Sequence, residues 1–297
     1  MMWRMSVAAA RRRVLLALAT SARWERAIRA IPGGEPMAYR WALPYVAGAR
    51  LPDALARVHL LASEGLASSI DFFGDSVADP LEADRVTDEY VVLAAALDQA
   101  PNDCFLSIDL SHIGLDQSGA AVQRRLERIC AALPADRRLQ VGAEQEHRAD
   151  RILATVLAVA RRGAAVSATV QANLVRSRAD AHELAAAGVP IRLVKGAYVE
   201  RPGVCLPSGE PTDLAYLELA HELHANRAEI ALATHDAVLR EALLRALPDA
   251  SVEMLLGVRN DEASALARRG VPTRIYVPYG DNWFRYAMRR WAESVGH

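Results

Sequence analysis

Residues 165–194, AVSATVQANLVRSRADAHELAAAGVPIRLV, contain one complete strand–helix–strand unit. The runs AVSATV (165–170) and PIRLV (190–194) are short, apolar and rich in β-branched residues, which is typical of buried strands. Between them, residues 178–187 carry Ala, Leu and Glu with helical periodicity. This order predicts two parallel strands joined by a helix that covers one face of the sheet.

The same unit recurs along the chain. Strand candidates occupy residues 68–73, 104–110, 138–142, 165–170, 190–194, 229–233, 251–256 and 273–277. Helix candidates in the gaps occupy residues 81–98, 119–132, 148–162, 178–187, 211–225, 237–247 and 260–269. Eight such units predict a closed α/β (β/α)₈ TIM-type barrel, with a doubly wound sheet as the alternative. Residues 1–67 then form an N-terminal helical segment before a barrel domain of residues 68–297.

The composition excludes several classes of protein. The chain has 297 residues, is 52% hydrophobic and has a net charge of −1, so it can bury a large core and is not expected to bind nucleic acid. Cys104, Cys130 and Cys205 are odd in number and lack metal-ligand spacing, which predicts free thiols in the reducing cytoplasm. No apolar run approaches the ~20 residues that cross a bilayer.

The N-terminus carries a basic and apolar segment. Arg11–Arg13 followed by VLLALATSA (14–22) resembles a short signal peptide. The helical pattern continues directly into ARWERAIRAI (22–31), however, and this favours an amphipathic helix of a cytoplasmic protein. Such a helix, with Arg on one side and Leu, Trp and Ile on the other, could also contact a membrane surface.

Polar side chains collect on the predicted strands and in the loops just after them. They are Asp71, Asp75, Asp109, Ser111, His112, Glu144, Gln171, Asn173, Arg192, Lys195, Tyr198, Thr234, His235, Asp236, Glu253, Arg259, Tyr276 and Tyr279. In a (β/α)₈ barrel these loops form the catalytic face. The pattern therefore predicts a ligand site at the mouth of the barrel.

Two loop motifs suggest what this mouth binds. In VKGAY (194–198) the glycine allows close backbone approach, and the lysine could hold a phosphate or an electron-rich ring, or simply be a solvated strand end. In ATHD (233–236) the Thr and His could donate hydrogen bonds to a phosphate, and no second His at helical spacing supports a metal site. Glycine-rich dinucleotide and phosphate motifs are absent, so a dinucleotide would be held in another way, for example across the barrel mouth.

The C-terminal stretch ends in two adjacent arginines, Arg289 and Arg290. Tyr286 lies three and four residues before them, so all three side chains can share one face of a helix. The planar guanidinium of arginine matches a carboxylate bidentately, which predicts a site for a small carboxylate. The alternative is a solvated basic helix end that complements the helix dipole.

Four motifs, in matching order and spacing, resemble the proline dehydrogenase family: IRLVKGAY (191–198), ATHD (233–236), EMLLGVR (253–259) and YVPYGDNWFRYAMRRWAE (276–293). The resemblance covers most of the chain. It implies a FAD-dependent (β/α)₈ barrel that oxidises L-proline to 1-pyrroline-5-carboxylate by hydride transfer. It also implies a quinone electron acceptor and peripheral contact with the inner face of a membrane.

The resemblance implies roles for individual residues. The cofactor would contact Gln171, Arg192, Lys195, Gly196, Ala197, Thr234 and His235. Arg192 would lie beside the flavin N5 atom. Tyr276 and Tyr286 would wall the proline ring, and Arg289 and Arg290 would hold its carboxylate.

The chain departs from the family pattern at Asp109 and Gly142, where the family usually has Lys and Asp. The ion pair of those two family residues is therefore absent, and we hypothesise that Asp109 instead faces the substrate amine as its base. Smaller departures are Asn173, Glu253 and Leu256, where Tyr, Gln and Tyr are more frequent. Two alternatives follow: FAD-dependent oxidation of another cyclic or N-alkyl amino acid, or a non-catalytic flavin-binding relative.

Overall fold

The computed structural model describes residues 22–74, 76–198 and 200–294. At its centre, eight parallel strands hydrogen-bond in chain order and close into a barrel. The strands are β1 (Ala67–Phe72), β2 (Cys104–Ile108), β3 (Leu139–Val141), β4 (Val166–Gln171), β5 (Ile191–Val194), β6 (Ile230–Ala233), β7 (Ser251–Leu255) and β8 (Thr273–Tyr279). The predicted (β/α)₈ barrel is confirmed, and the doubly wound alternative is wrong.

Helices surround the barrel and precede it. They are α1 (Ala22–Ala30), α2 (Gly34–Ala42), α3 (Leu51–Ser63), α4 (Pro80–Ala96), α5 (Gly119–Ala132), α6 (Ala149–Ala160), α7 (Ser177–Ala186), α8 (Glu210–Ala225), α9 (Ala237–Ala246), α10 (Asn260–Arg268) and α11 (Trp283–Ser294). Short 3₁₀ turns occupy Leu97–Gln99, Leu110–Ile113 and Glu146–Arg148. Most predicted boundaries agree within two residues. β2 ends earlier than predicted because the chain after Asp109 turns into a 3₁₀ helix.

The two faces of the barrel wall differ in polarity. Successive strand residues point to opposite faces, and residues in register on parallel neighbours share a face. Outward-facing residues such as Ile70, Leu106 and Leu193 are fully buried under the helices. Inward-facing residues are largely polar: Ser69, Asp71, Ser107, Gln140, Ser167, Thr169, Gln171, Arg192, Ser251, Glu253, Arg274 and Tyr276. The usual Val, Ile and Leu layers of a barrel interior are therefore replaced by polar groups.

Contacts across the lumen hold this polar interior together. Gln140 Nε2 of β3 lies 3.0 Å from both carboxylate oxygens of Glu253 on β7. Arg192 Nε of β5 donates to Glu253 Oε2 at 2.6 Å. Since Glu253 is only 4% exposed, its charge depends on these donors.

A second apolar cluster packs α11 against the residues that precede and follow β1. Ala38 and Ala42 of α2 pack with Trp283 and Phe284 of α11 and with Phe73, which follows β1. The cluster therefore joins the helices before the barrel to the helix after it. The predicted division of the chain at residues 67 and 68 stays a prediction.

The N-terminal predictions are tested only in part. Arg11–Arg13 and the apolar run after them lie outside the described residues. The predicted continuation is a helix, α1. Within the described ranges, no helix has the length and apolar character to cross a membrane. The three cysteines are free thiols, as predicted.

Candidate active site

A cavity of about 290 Å³ opens at the carboxyl ends of β1, β2 and β8. Its lining residues are Asp71, Phe72, Phe73, Gly74, Tyr90, Asp109, His112, Tyr276, Asn282, Arg285, Tyr286 and Arg289. Four of the predicted site residues, Asp109, Tyr276, Tyr286 and Arg289, thus share one cavity. Its position on the catalytic face of a (β/α)₈ barrel makes it the candidate active site.

Aromatic rings form the walls of this cavity. The rings of Tyr276 and Tyr286 lie 6.1 Å apart at an interplanar angle of 43°, and Phe73 lies 5.1 Å from Tyr286. On the other side, Phe72 stacks on His112 at 5.6 Å. Walls of this kind fit a small, flat and partly apolar ring.

The two terminal arginines occupy different positions. Arg289 lines the cavity. The guanidinium carbon of Arg290 lies 5.3 Å from the ring centroid of Tyr286, in a cation–π contact, and its charge helps to lower the pKa of His235 at the end of β6. The structure thus brings Arg289 into the pocket, whereas the guanidinium of Arg290 lies over the ring of Tyr286.

Two carboxylates face the cavity. Burial raises the pKa of Asp71 to about 7, against the opposing effect of hydrogen bonds from Tyr276 and Ser107. Asp109 is open to the cavity but surrounded by protein on its other sides. That burial, with the charges of Asp71 and Glu144, raises the pKa of Asp109 well above its usual range.

Arg192 acts on the site from an inward-facing position on β5. Its Nε pairs with Glu253 in the lumen, and its charge opposes the raised pKa of both Asp71 and Asp109. Arg192 therefore brings positive charge close to Asp71 and Asp109, the two acids that line the cavity. Glu253, which pairs with Arg192, had no predicted role.

The predicted cofactor residues meet at the ends of β4, β5 and β6. Lys195 Nζ lies 2.6 Å from Asp213 and 2.8 Å from Asp236. Although partial burial opposes its charge, these two carboxylates raise the pKa of Lys195. Asp236 also caps α9 by accepting from the N–H groups of Val238 and Leu239. Lys195 is thus held in place by neighbouring acids.

His235 is a half-buried, neutral donor. Its Nε2 accepts the N–H of Leu255 at 3.2 Å, so its proton lies on Nδ1. Burial, together with the charges of Arg290, Arg259 and Arg240, lowers the pKa of His235 to about 4. The Nδ1 atom is buried without a hydrogen-bond partner.

These residues fit a flavin nucleotide. A buried donor left unpaired costs about 1–3 kcal/mol, and phosphate or hydroxyl oxygens would satisfy His235 Nδ1–H. Asn173 Oδ1 is likewise buried without a partner and suits a hydroxyl donor. Gly196 has a φ of 107°, and a Cβ there would lie 1.9 Å from Asn173 Oδ1, so glycine lets this loop lie close to the mouth. Gln171 donates to the Glu144 carbonyl at 2.8 Å.

Two further predicted cofactor residues, Thr234 and Ala197, lie near the ends of β6 and β5. Thr234 is buried, and its hydroxyl accepts the N–H of Asp236 at 3.1 Å. Ala197 is exposed beside Gly196. Both stand on the rim formed by β5 and β6, where the predicted roles remain predictions.

Some site residues were not assigned a role from the sequence. Asp71 lines the cavity. Tyr198 is surrounded by the charges of Asp109, Glu144 and Arg289, and burial raises its pKa. Glu144 itself accepts from the N–H of Ser111 at 2.8 Å and pairs with Arg148 at 2.7 Å. Their position after a strand was visible in the sequence, but their mutual contacts were not.

Asp71→Asn is expected to stabilise the protein at pH 8 by about 1–4 kcal/mol. The pKa of Asp71 is raised to about 7 in the folded state, so the folded state binds more protons than the unfolded state. The contribution of protonated Asp71 to the free energy of unfolding is largest below pH ~4, and it is lost as the pH rises through about 7. Urea denaturation from pH 5 to pH 8 should show a growing gain over wild type. A gain independent of pH, or none beyond that of Asp103→Asn, would contradict the assignment.

The chain is similar to known proteins over most of its length. A family model described as proline dehydrogenase matches residues 54–295. Proline dehydrogenase 1 of Bacillus subtilis (strain 168) is 31% identical over 257 residues, which cover 84% of this chain and 85% of the relative. Proline dehydrogenase of Deinococcus radiodurans is 29% identical over 272 residues, with 84% and 85% covered.

Solved structures support the fold. Proline utilization A from Bdellovibrio bacteriovorus superposes with a TM-score of 0.81 at 18% identity over 97% of this chain and 36% of that chain. Proline utilization A with proline bound in remote sites gives a TM-score of 0.73 at 21% identity, over 88% of this chain and 32% of that chain. The chain thus spans about a third of these longer proteins.

Proposed function

Because the chain belongs to the proline dehydrogenase family, we propose that it oxidises L-proline to 1-pyrroline-5-carboxylate with FAD as its cofactor. Membership makes the chain an oxidoreductase of proline catabolism. The finer statements concern the cofactor, the roles of the residues and the electron acceptor. The observation that carries them is one cavity that joins Arg289, an aromatic wall and two carboxylates.

Substrate binding is assigned to the α11 side of the cavity. Arg289 would hold the carboxylate through charge-assisted hydrogen bonds. Tyr276 and Tyr286 would flank the ring and set the width of the slot. Arg290, packed against Tyr286, would hold that tyrosine in place and add positive charge. A substrate anchored in this way presents its ring carbon and nitrogen in a fixed orientation.

FAD, when bound, would supply the hydride acceptor. The protein residues supply binding and electrostatics. His235 Nδ1–H and Thr234 would hold the phosphate and adenosine portion, while Gln171, Lys195, Gly196 and Ala197 would border the flavin. Arg192, fixed by Glu253 at 2.6 Å, would add positive charge beside N5. The amine must lose a proton before hydride transfer, and Asp109 is the proposed acceptor because it faces the cavity.

The cofactor proposal is tested by isolating the purified protein and releasing its bound chromophore. We expect FAD in near-stoichiometric amount, and His235→Phe should lose it because a phenyl ring cannot donate to a phosphate. Asn keeps a side-chain donor, so His235→Asn should retain more cofactor than His235→Phe. Release of FMN, or full FAD content in His235→Phe, would contradict these assignments.

We propose a quinone as the electron acceptor and contact with the cytoplasmic face of a membrane. Large apolar side chains on and beside α1 and α2 support this proposal, since Trp24, Ile31, Met37 and Trp41 are 51%, 58%, 60% and 58% exposed. Arginines are interspersed with them, which is the composition of a segment that binds anionic membrane surfaces.

Sedimentation with anionic vesicles tests this contact. The double variant Trp24→Ser/Trp41→Ser should lose vesicle binding, whereas Leu81→Ser/Val238→Ser should keep it. Leu81 and Val238 are a matched control because they are 74% and 82% exposed on other helices. Equal binding by both double variants would contradict a membrane surface at α1 and α2.

A second candidate function rests on Asp109 and Gly142. Asp109 lines the cavity, where the substrate nitrogen is expected, and Gly142 lies next to its carboxylate. It favours, as the alternative, oxidation of another cyclic or N-alkyl amino acid by the same route. Comparison of such substrates with proline in one assay separates the two candidates.

A further inference from the structure

The missing side chain at residue 142 makes room for Asp109. A Cβ built on Gly142 would lie 1.9 Å from Asp109 Oδ1. Gly142 is the residue directly after β3, and its N–H donates to the Ile108 carbonyl at 2.8 Å. The Asp109 carboxylate therefore occupies the space that any larger residue at 142 would take.

Asp71 faces the same space from the neighbouring strand. In the β1–β2 register Asp71 is opposite Ser107, and Asp109 is the next inward-facing position after Ser107. Both acids line one cavity. The hydroxyl of Tyr276 donates a hydrogen bond to Asp71 Oδ2. The carboxylate of Asp109, by contrast, makes no hydrogen bond or ion pair within the described part of the chain.

We propose that Asp71 and Asp109, which line one cavity from neighbouring strands, act as one pair that accepts the proton of the substrate's ring ammonium. The proposal rests on the proposed oxidation of a cyclic secondary amine. In this step the N–H bond breaks, its electron pair stays on nitrogen, and an O–H bond forms on the pair. The amine is then neutral, which is the form that the proposed oxidation by bound FAD would require.

The charges around the pair support their joint action. The charge of Asp71 raises the pKa of Asp109, and two carboxylates that line one cavity do not both ionise readily, so they titrate together. The groups that act on them are Ser107, Tyr276, Arg192, Glu144 and Arg148. Burial, followed by the charges of Asp71 and Asp109, raises the pKa of Tyr90, and burial, followed by the charge of Asp109, raises that of Tyr198. Hydrogen bonds from Tyr276 and Ser107 favour the ionised form of Asp71. Among the charged groups, only Arg192 and Arg148 favour the ionised forms, and each is already paired with a glutamate.

The test is the rate of anaerobic flavin reduction by proline as a function of pH. Asp71→Asn and Asp109→Asn should each slow reduction at pH 7 by about 100-fold or more, the usual contribution of a general base. The double variant should be slowed little further, because the pair acts as one unit. All three should approach the wild-type rate at a pH where the amine is already neutral in solution.

Gly142→Ala tests the geometry without removing either acid. Its Cβ would displace the Asp109 carboxylate, which is the end of a side chain that can rotate, so the fold should persist. The slow rate at pH 7 and its recovery at high pH should match those of Asp109→Asn. Asp103→Asn, an exposed acid at the opposite end of the barrel, should behave as wild type.

Three results would contradict the proposed pair. The first is a loss of reduction rate in the double variant equal to the product of the two single losses. The others are losses of rate that are the same at all pH values, and a wild-type dependence of the rate on pH in Gly142→Ala. Bound FAD measured in each variant separates cofactor loss from slow reduction. If the wild type is reduced by no cyclic amine at any pH, the proposed function fails, and the pair fails with it.

Discussion

Arg289→Met is expected to raise the KM for proline by about 10- to 150-fold while FAD stays bound. The lost charge-assisted hydrogen bonds are worth about 1.5–3 kcal/mol, and Arg289, in the middle of α11, lines the cavity. Methionine keeps much of the side-chain length and apolar volume, so the loss is chiefly one of charge. Steady-state kinetics with a soluble dye acceptor, together with the flavin absorbance of the purified variant, measures both quantities.

Arg290→Met should act in the same direction, because the residue packs on Tyr286 at 5.3 Å and adds charge to the same end of the pocket. Arg128→Met is the matched control, since Arg128 is a half-exposed arginine on α5 that pairs with Asp88. An unchanged KM in both Arg289→Met and Arg290→Met would remove the carboxylate-binding role from α11.

Glu253→Ala is expected to lower the free energy of unfolding by about 3–5 kcal/mol, because it leaves a buried guanidinium without its partner. Glu253 is 4% exposed and joins Gln140 to Arg192 across the lumen. Glu253→Gln should lose less, since the amide oxygen still accepts a hydrogen bond from Arg192. Urea denaturation monitored by circular dichroism gives the three values.

Glu229→Ala provides the comparison for this experiment. Glu229 pairs with Arg138, but its side chain is 65% exposed, so its removal should cost no more than about 1 kcal/mol. Equal losses in Glu253→Ala and Glu229→Ala would show that the lumen network does not hold the barrel together. A Glu253→Gln variant less stable than Glu253→Ala would contradict its dependence on hydrogen bonding.

The fold could be predicted from the sequence because each strand–helix unit carries its own local signal. The units around 165–194 have apolar β-rich runs, helical spacing and a glycine between them, and no long-range information is needed to place them. The end of β2 was predicted too late because Leu110 is apolar, and the turn that buries it depends on tertiary contacts.

The candidate site was predictable in part. Position in or just after a strand identified Asp109, Tyr276 and the loop around Lys195, since barrel geometry brings such positions together. Side-chain partners were not predictable, because they depend on register across the lumen. Glu253 as the partner of Arg192, and Asp109 in the space beside Gly142, are contacts between residues far apart in the chain.

Anaerobic titration of the purified flavoprotein with L-proline tests the central claim most directly. We expect proline to bleach the flavin absorbance, with one equivalent of 1-pyrroline-5-carboxylate formed per flavin reduced. Bleaching by another cyclic or N-alkyl amino acid but not by proline would contradict proline as the substrate. Failure of every such amine to bleach the flavin would contradict the proposed oxidation itself.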